Sequence, residues 1–256
     1  MEIFKYPDRA SKLIHKINSQ NFLETASIII DFIKNEKVSI QMALYLIDLY
    51  SRLQIKKIKL YSEFYQKILN EFSYLSKPHN KKLATLLYYK GFKFKNFEPI
   101  MKEEKILEIY PKESPLYYIA WDKVDDLKSK FPDLDVNARY DGFTPLDCAL
   151  KFGSELCFNF LKNLGAKYSR LSTQYALTGG NKTIFSQLVE DGESFDNMIN
   201  DALDYHNLEI ANYLKTYYRQ NELFLTESLI YGNFDIASFC ISNGADVNEV
   251  FRLEIQ

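Results

Sequence analysis

Asp141-Gly142-Phe143-Thr144-Pro145-Leu146-Asp147-Cys148-Ala149 is followed by Gly153, Phe160-Leu161 and Leu164-Gly165-Ala166. Together these residues spell a turn, a helix, a second turn, a second helix and a helix stop. Gly142 suits a tight turn. Thr144 is placed to cap the next helix, and Pro145 falls at its first position, where no amide is needed. Asp147 stands where a capping box would close, with Asp in place of the usual Glu or Gln. Gly165 supplies the left-handed residue that ends the second helix. A helix pair of this size cannot bury its apolar face alone and has to stack on copies of itself.

Weaker copies follow. Ala149, Gly153 and Gly165 have counterparts in Ala176, Gly180 and Gly192, then in Ala202, His206 and Tyr218, and then in Ser228, Gly232 and Gly244. Gly244-Ala245-Asp246-Val247-Asn248 closes the last copy. Upstream, Ser114-Pro115-Leu116 opens a shorter unit ending in Asp135-Val136-Asn137. The apolar pairs stay in phase through Phe160-Leu161, Gln187-Leu188, Tyr213-Leu214 and Phe239-Cys240. The pattern predicts tandem helix pairs from about residue 114 to residue 248.

Thr-Pro-Leu-x-x-Ala, the Gly four residues after that Ala, Leu-x-x-Gly-Ala and Asp-Val-Asn resemble the ankyrin repeat, whose period is about 33 residues. Asp147 stands where that motif has His, and the spacing here is shorter, so the loss falls in the connecting hairpin. Ala176-Leu177-Thr178-Gly179-Gly180-Asn181 and Asp201-Ala202-Leu203-Asp204-Tyr205-His206-Asn207 are similar to a divergent ankyrin-type domain of unknown function expanded in protists. The resemblance implies an all-α solenoid of stacked helix pairs and a non-catalytic scaffold or adaptor that binds a protein partner. It leaves the partner open, because such families share a framework and differ in what they bind.

Residues 1–112 form an expected N-terminal helical region, 113–249 the repeats and 250–256 a tail. In the first region Phe22, Ala26, Ile29, Ile30 and Ile33 keep a helical stripe after an Asn21 cap, and Ser39 caps the next. A third stripe runs from Ile58 to Phe72, and Leu83, Leu86 and Leu87 precede a stop at Gly91. Pro99 is expected to open a last helix that Pro111 ends. The favoured arrangement is one continuous stack of helix pairs. The tail, alternately apolar, is no obvious cap for a stack; either it folds over the last repeat or relatives continue beyond it.

The composition, 46% hydrophobic and 26% charged, fits a folded soluble chain. No signal peptide or membrane span is expected, and the three cysteines have no metal spacing, which suggests buried thiols in a reducing cytoplasm. The net charge of −2 divides unevenly: residues 1–112 hold 20 Lys and Arg against 12 Asp and Glu, and the acidic excess lies beyond them. Solvated helix faces account for this most simply. The alternative is an anionic partner, nucleic acid or an acidic membrane surface, for the basic half, with the chain a structural or targeting segment of a longer array.

His15, His79 and His206 stand apart, with no metal or catalytic spacing, so His206 is read as a turn residue. Gly179-Gly180-Asn181-Lys182-Thr183 fails as a phosphate loop because Asn181 separates the glycine from the lysine and no strand precedes it. Neither enzyme chemistry, a cofactor nor a metal site is expected. The candidate binding residues lie just before the inter-helix turns, at Phe152, Tyr205 and Tyr231 with Trp121 beside the upstream equivalent, and at the hairpin residues Arg139, Tyr140 and Phe143. Aromatics in such a column are either partner anchors or packing between neighbouring repeats.

Overall fold

A computed structural model describes residues 2–246. The expectations placed on Val247-Asn248 and on the tail 250–256 lie outside the described residues. Within them the chain is all-helical, with sixteen α-helices and no strand. The helices divide into two compact units, one of residues 108–224 and one of residues 2–107 together with 225–246.

The unit of residues 2–107 and 225–246 begins with α1 (Lys5–His15), α2 (Phe22–Lys34), α3 (Ile40–Leu53), α4 (Ile58–Glu71) and α5 (Lys81–Tyr89). The apolar stripes read from the sequence face inward: Ile29, Ile47, Tyr61, Phe64, Ile68 and Leu87 are all fully buried in one core. Ser39 caps α3 as expected, its hydroxyl accepting from the Met42 N–H at 3.1 Å. Asn21 precedes α2 but turns its side chain back, accepting from the Asn18 N–H at 2.8 Å instead of capping. Pro99 opens no helix. The short α6 (Glu103–Glu108) starts later, and the Ile100 N–H is spent on the Thr85 hydroxyl at 3.3 Å.

The last helix pair, α15 (Leu225–Ile230) and α16 (Phe234–Ser242), belongs to this same unit. The expected boundary therefore moves, for a physical reason. The Ser11 hydroxyl donates to the Gly232 carbonyl at 2.6 Å and accepts from the buried Tyr50 hydroxyl at 2.5 Å. The Tyr45 hydroxyl donates to the Ile230 carbonyl at 2.5 Å, and Lys12 pairs with Asp235 at 2.9 Å. Phe4 stacks on Phe234 with ring centroids 6.0 Å apart. None of these partners is adjacent in sequence.

The unit of residues 108–224 holds α7 (Pro115–Ala120), α8 (Val124–Lys130), α9 (Pro145–Phe152), α10 (Glu155–Asn163), α11 (Ser172–Gly179), α12 (Lys182–Glu190), α13 (Ile199–Asp204) and α14 (Leu208–Tyr217). The odd-numbered helices pack in a row, α7 on α9, α9 on α11 and α11 on α13. The even-numbered ones form a second row in the same order. Each pair is joined by one left-handed residue: Asp122 (φ 54), Gly153 (60), Gly180 (62) and His206 (57). His206 is thus a turn residue, as read from its register. The stop after α14 differs from expectation, because that helix runs one residue longer than α10 or α12 and the left-handed residue is Arg219 (φ 54), not Tyr218.

Candidate functional site

The motif that opens α9 behaves largely as its residues dictate. Asp141 (φ 46) and Gly142 (φ 84) are both left-handed, the requirement of a type I′ turn, and Tyr140 and Phe143 exchange backbone hydrogen bonds across it at 2.8 and 2.9 Å. The Thr144 hydroxyl accepts from the Asp147 N–H at 3.1 Å, with Pro145 at the first helical position. The capping box does not close. Asp147 is 3% exposed and its carboxylate turns to the next helix pair, accepting from the Ser169 and Ser172 hydroxyls at 2.9 Å each. Asp is one methylene shorter than Glu, and these two hydroxyls satisfy it where it lies.

A ladder of side-chain bonds joins successive pairs. Asp122 accepts from the Leu156 and Cys157 N–H groups at 3.2 and 2.8 Å, filling vacant donors at the start of α10. The Ser154 hydroxyl donates to the Ala120 carbonyl at 3.4 Å. Asn181 caps α12, accepting from the Ile184 N–H at 3.0 Å, and donates to the Gly153 carbonyl at 3.3 Å. The Asn207 amide donates to the Leu177 carbonyl. The recurrence of Asn at Asn181 and Asn207, one place after each left-handed turn, was visible in the sequence and marks two rungs of this ladder.

The aromatic column lies one residue before each left-handed turn, and Trp121 falls within it, not beside it. Trp121 and Phe152 point back toward the preceding element. The Trp121 indole N–H donates to the Glu108 carbonyl at 3.2 Å, and the Phe152 ring meets Tyr110 edge-on at 6.0 Å. Gly179 shows the same direction, since a Cβ there would sit 1.9 Å from the Leu150 carbonyl oxygen. Tyr205 is half-buried and, among the described residues, makes no side-chain hydrogen bond or ring contact. Tyr231 belongs to the other unit, where it packs against that unit's core.

At the hairpin, exposed Arg139 donates to the Gly142 carbonyl at 3.1 Å, and the Tyr140 hydroxyl reaches the Asp135 carbonyl at 3.4 Å. Phe143 is engaged inward. Its ring lies 5.4 Å from that of Tyr175, and the Lys151 ammonium sits 4.5 Å from its centroid. Tyr110, Tyr175 and Lys151 therefore join this surface, although sequence reasoning did not single them out; burial pushes the Tyr110 and Tyr175 phenols up from their ordinary range.

No protein family, curated protein or solved structure matches this chain. Among the described residues no group of three or more His, Cys, Asp or Glu side chains gathers as metal ligands. No described helix is long and apolar enough to cross a membrane. Cys148, Cys157 and Cys240 are buried and form no disulfide among the described residues.

A second cluster lies on the outer row. Asp191 accepts from Tyr168 at 2.7 Å, Gln187 at 2.9 Å and Lys162 at 3.0 Å. These contacts, the Tyr168 hydroxyl first, hold its carboxyl down to about 2. The cluster borders a shallow cleft of about 410 Å³ with Asn159 and Asn163. It joins α10 to α12 and to the loop between them.

Proposed function

We propose that the chain is a divergent ankyrin-type solenoid and that residues 108–224 are a non-catalytic module for binding a protein partner. The observation that carries this reading is the two-row stack in which the inner helices end, one above another, in Trp121, Phe152, Gly179 and Tyr205. Stacked pairs joined by left-handed turns build an extended surface from repeated positions. Tyr205, half-exposed and with no side-chain hydrogen bond or ring contact among the described residues, is the column member suited to a partner. Arg139 and Tyr140 at the hairpin tip are the second part of the surface, since Arg and Tyr dominate interface energetics. Trp121 and Phe152 serve mainly as packing between neighbouring elements, and Tyr231 serves the other unit's core. Three buried cysteines without a disulfide among the described residues support a reducing compartment such as the cytoplasm.

The test is crosslinking and pull-down from the native cell, with the full chain compared with Tyr205→Ala and Arg139→Ala. An anchor at Tyr205 contributes about 2 kcal/mol or more, so the variant loses its partner on the order of thirtyfold while melting near the wild-type temperature. Capture unchanged by both substitutions, or marked unfolding of Tyr205→Ala, removes the reading.

A further inference from the structure

A strongly basic segment lies outside the helix stack of residues 108–224. Between Lys77 and Lys102 the chain carries seven lysines against one acidic residue, Glu98. Among the described residues none of these lysines lies within ion-pairing distance of a carboxylate, although nine ion pairs form elsewhere. Lys77, Lys81, Lys93, Lys95 and Lys102 are exposed.

Contacts join part of this segment. The Lys77 ammonium lies 5.8 Å from the Phe97 ring, Phe97 is 6.5 Å from Tyr88, and the Lys93 ammonium stands 3.3 Å over Tyr88. Tyr89 follows Tyr88 edge-on, and its hydroxyl donates to the Met101 carbonyl at 3.3 Å, beside Ile100. Apolar side chains stand out among the lysines: Leu75 is 61% exposed, Tyr89 48% and Ile100 46%.

Anionic partners differ in what they need. A single-stranded nucleic acid needs open ring faces on which bases stack. Here ammonium groups already lie over Tyr88 and Phe97. An anionic bilayer asks for lysines at headgroup level and a few apolar side chains at the acyl boundary. We propose that this surface docks on an anionic lipid bilayer, with Lys77, Lys93 and Lys95 at the headgroups and Leu75, Tyr89 and Ile100 at the acyl boundary. It is independent of the protein-binding reading of residues 108–224.

The test is co-sedimentation of the full chain with phosphatidylcholine vesicles, with and without about 30% phosphatidylserine. Binding requires the anionic lipid and weakens as salt shortens the screening length. Replacing Lys77, Lys93 and Lys95 together by Gln lowers affinity on the order of a hundredfold. Leu75→Ser with Ile100→Ser lowers it too, without a change of charge. Lys95→Gln alone, on the exposed loop, gives a smaller drop in the same direction with no change in melting temperature. Three results overturn the proposal: no binding to the anionic vesicles at low salt, equal binding by wild type and the triple variant, or tighter binding to an oligouridine RNA that the Leu75 and Ile100 substitutions leave untouched.

Discussion

A Cβ on Gly179 would meet the Leu150 carbonyl oxygen at 1.9 Å and the Gly153 nitrogen at 2.8 Å, so α9 and α11 approach closely only because this position has no side chain. Gly179→Ala must push two backbones apart; overpacking of this kind costs about 1–3 kcal/mol and lowers the melting temperature accordingly. Asp48 and Asp191 respond to pH in opposite senses. Asp48 is 2% exposed; Oδ1 accepts from the Asn80 N–H at 2.9 Å, while Oδ2 has no hydrogen-bond partner among the described residues. Burial pushes its carboxyl up, against the pull of the Asn80 N–H and of Arg52. The folded state thus holds that proton more tightly than the unfolded chain, and stability gains as pH falls through the raised value. Asp48→Asn should melt higher than wild type at neutral pH, with the gap narrowing in acid; an equal gap at both pH values would show that Asp48 bears no such strain. Asp191, held down to about 2, contributes stability above the ordinary Asp value of about 3.9, and that contribution is lost as pH falls from there to about 2.

The joints between helices show which elements could be read in advance. Gly153, Gly180 and the register of His206 were legible because a left-handed residue is a local backbone demand that leaves its mark at a fixed spacing. Thr144-Pro145 was legible for the same reason, as a cap and first-turn residue, and Ser114-Pro115 as the opening of a helix pair. The bonds that join one pair to the next were not, because they link residues about one repeat apart. Asp147 was read within its own helix and instead binds Ser169 and Ser172. Asp122, which the sequence reading did not single out, fills the start of α10. The aromatic column was placed in the right register, yet its direction became clear only from Tyr110, Glu108 and Leu150. These joints carry their own prediction. At His206 (φ 57) the left-handed backbone costs a non-glycine residue about 1 kcal/mol, partly offset by the greater entropy that glycine loses on folding. His206→Gly relieves that backbone cost and should therefore destabilise less than Gly153→Ala in denaturant melts. Gly153→Ala, with a Cβ 2.8 Å from the Gly179 carbonyl oxygen, is clearly destabilising. Equal effects from the two would show that the turn tolerates either residue.

On the scale of the whole chain, the pairing of α15 and α16 with α1 was hidden from sequence patterning because it joins residues 221 positions apart, Ser11 and Gly232. Within residues 108–224 the Gly153 carbonyl at a left-handed turn accepts from Asn181 of the following pair; the Gly232 carbonyl accepts from Ser11 instead. Within the unit of residues 2–107 and 225–246, the N-terminal helix thus closes over the joint between α15 and α16. The core behind it is rich in buried phenols. Burial pushes Tyr50, Tyr61 and Tyr65 up, Tyr65 to about 12, while an unfolded tyrosine titrates near 10. Since the folded state keeps these protons where the unfolded chain releases them, their contribution is complete below about pH 10 and is lost as pH rises toward the folded values. In an alkaline titration the exposed tyrosines should ionise first with the helical signal intact, and the buried fraction only together with loss of helix. Tyr61→Phe sharpens the test. It removes a hydroxyl whose bonds to the Ile14 carbonyl and Gln54 are long, 3.4 and 3.3 Å. The loss at neutral pH is therefore about 1 kcal/mol or less, and one proton release that drives alkaline unfolding is gone, so the unfolding midpoint moves to higher pH relative to stability at neutral pH. Full tyrosine ionisation near pH 10 with helix retained would contradict the buried-phenol account.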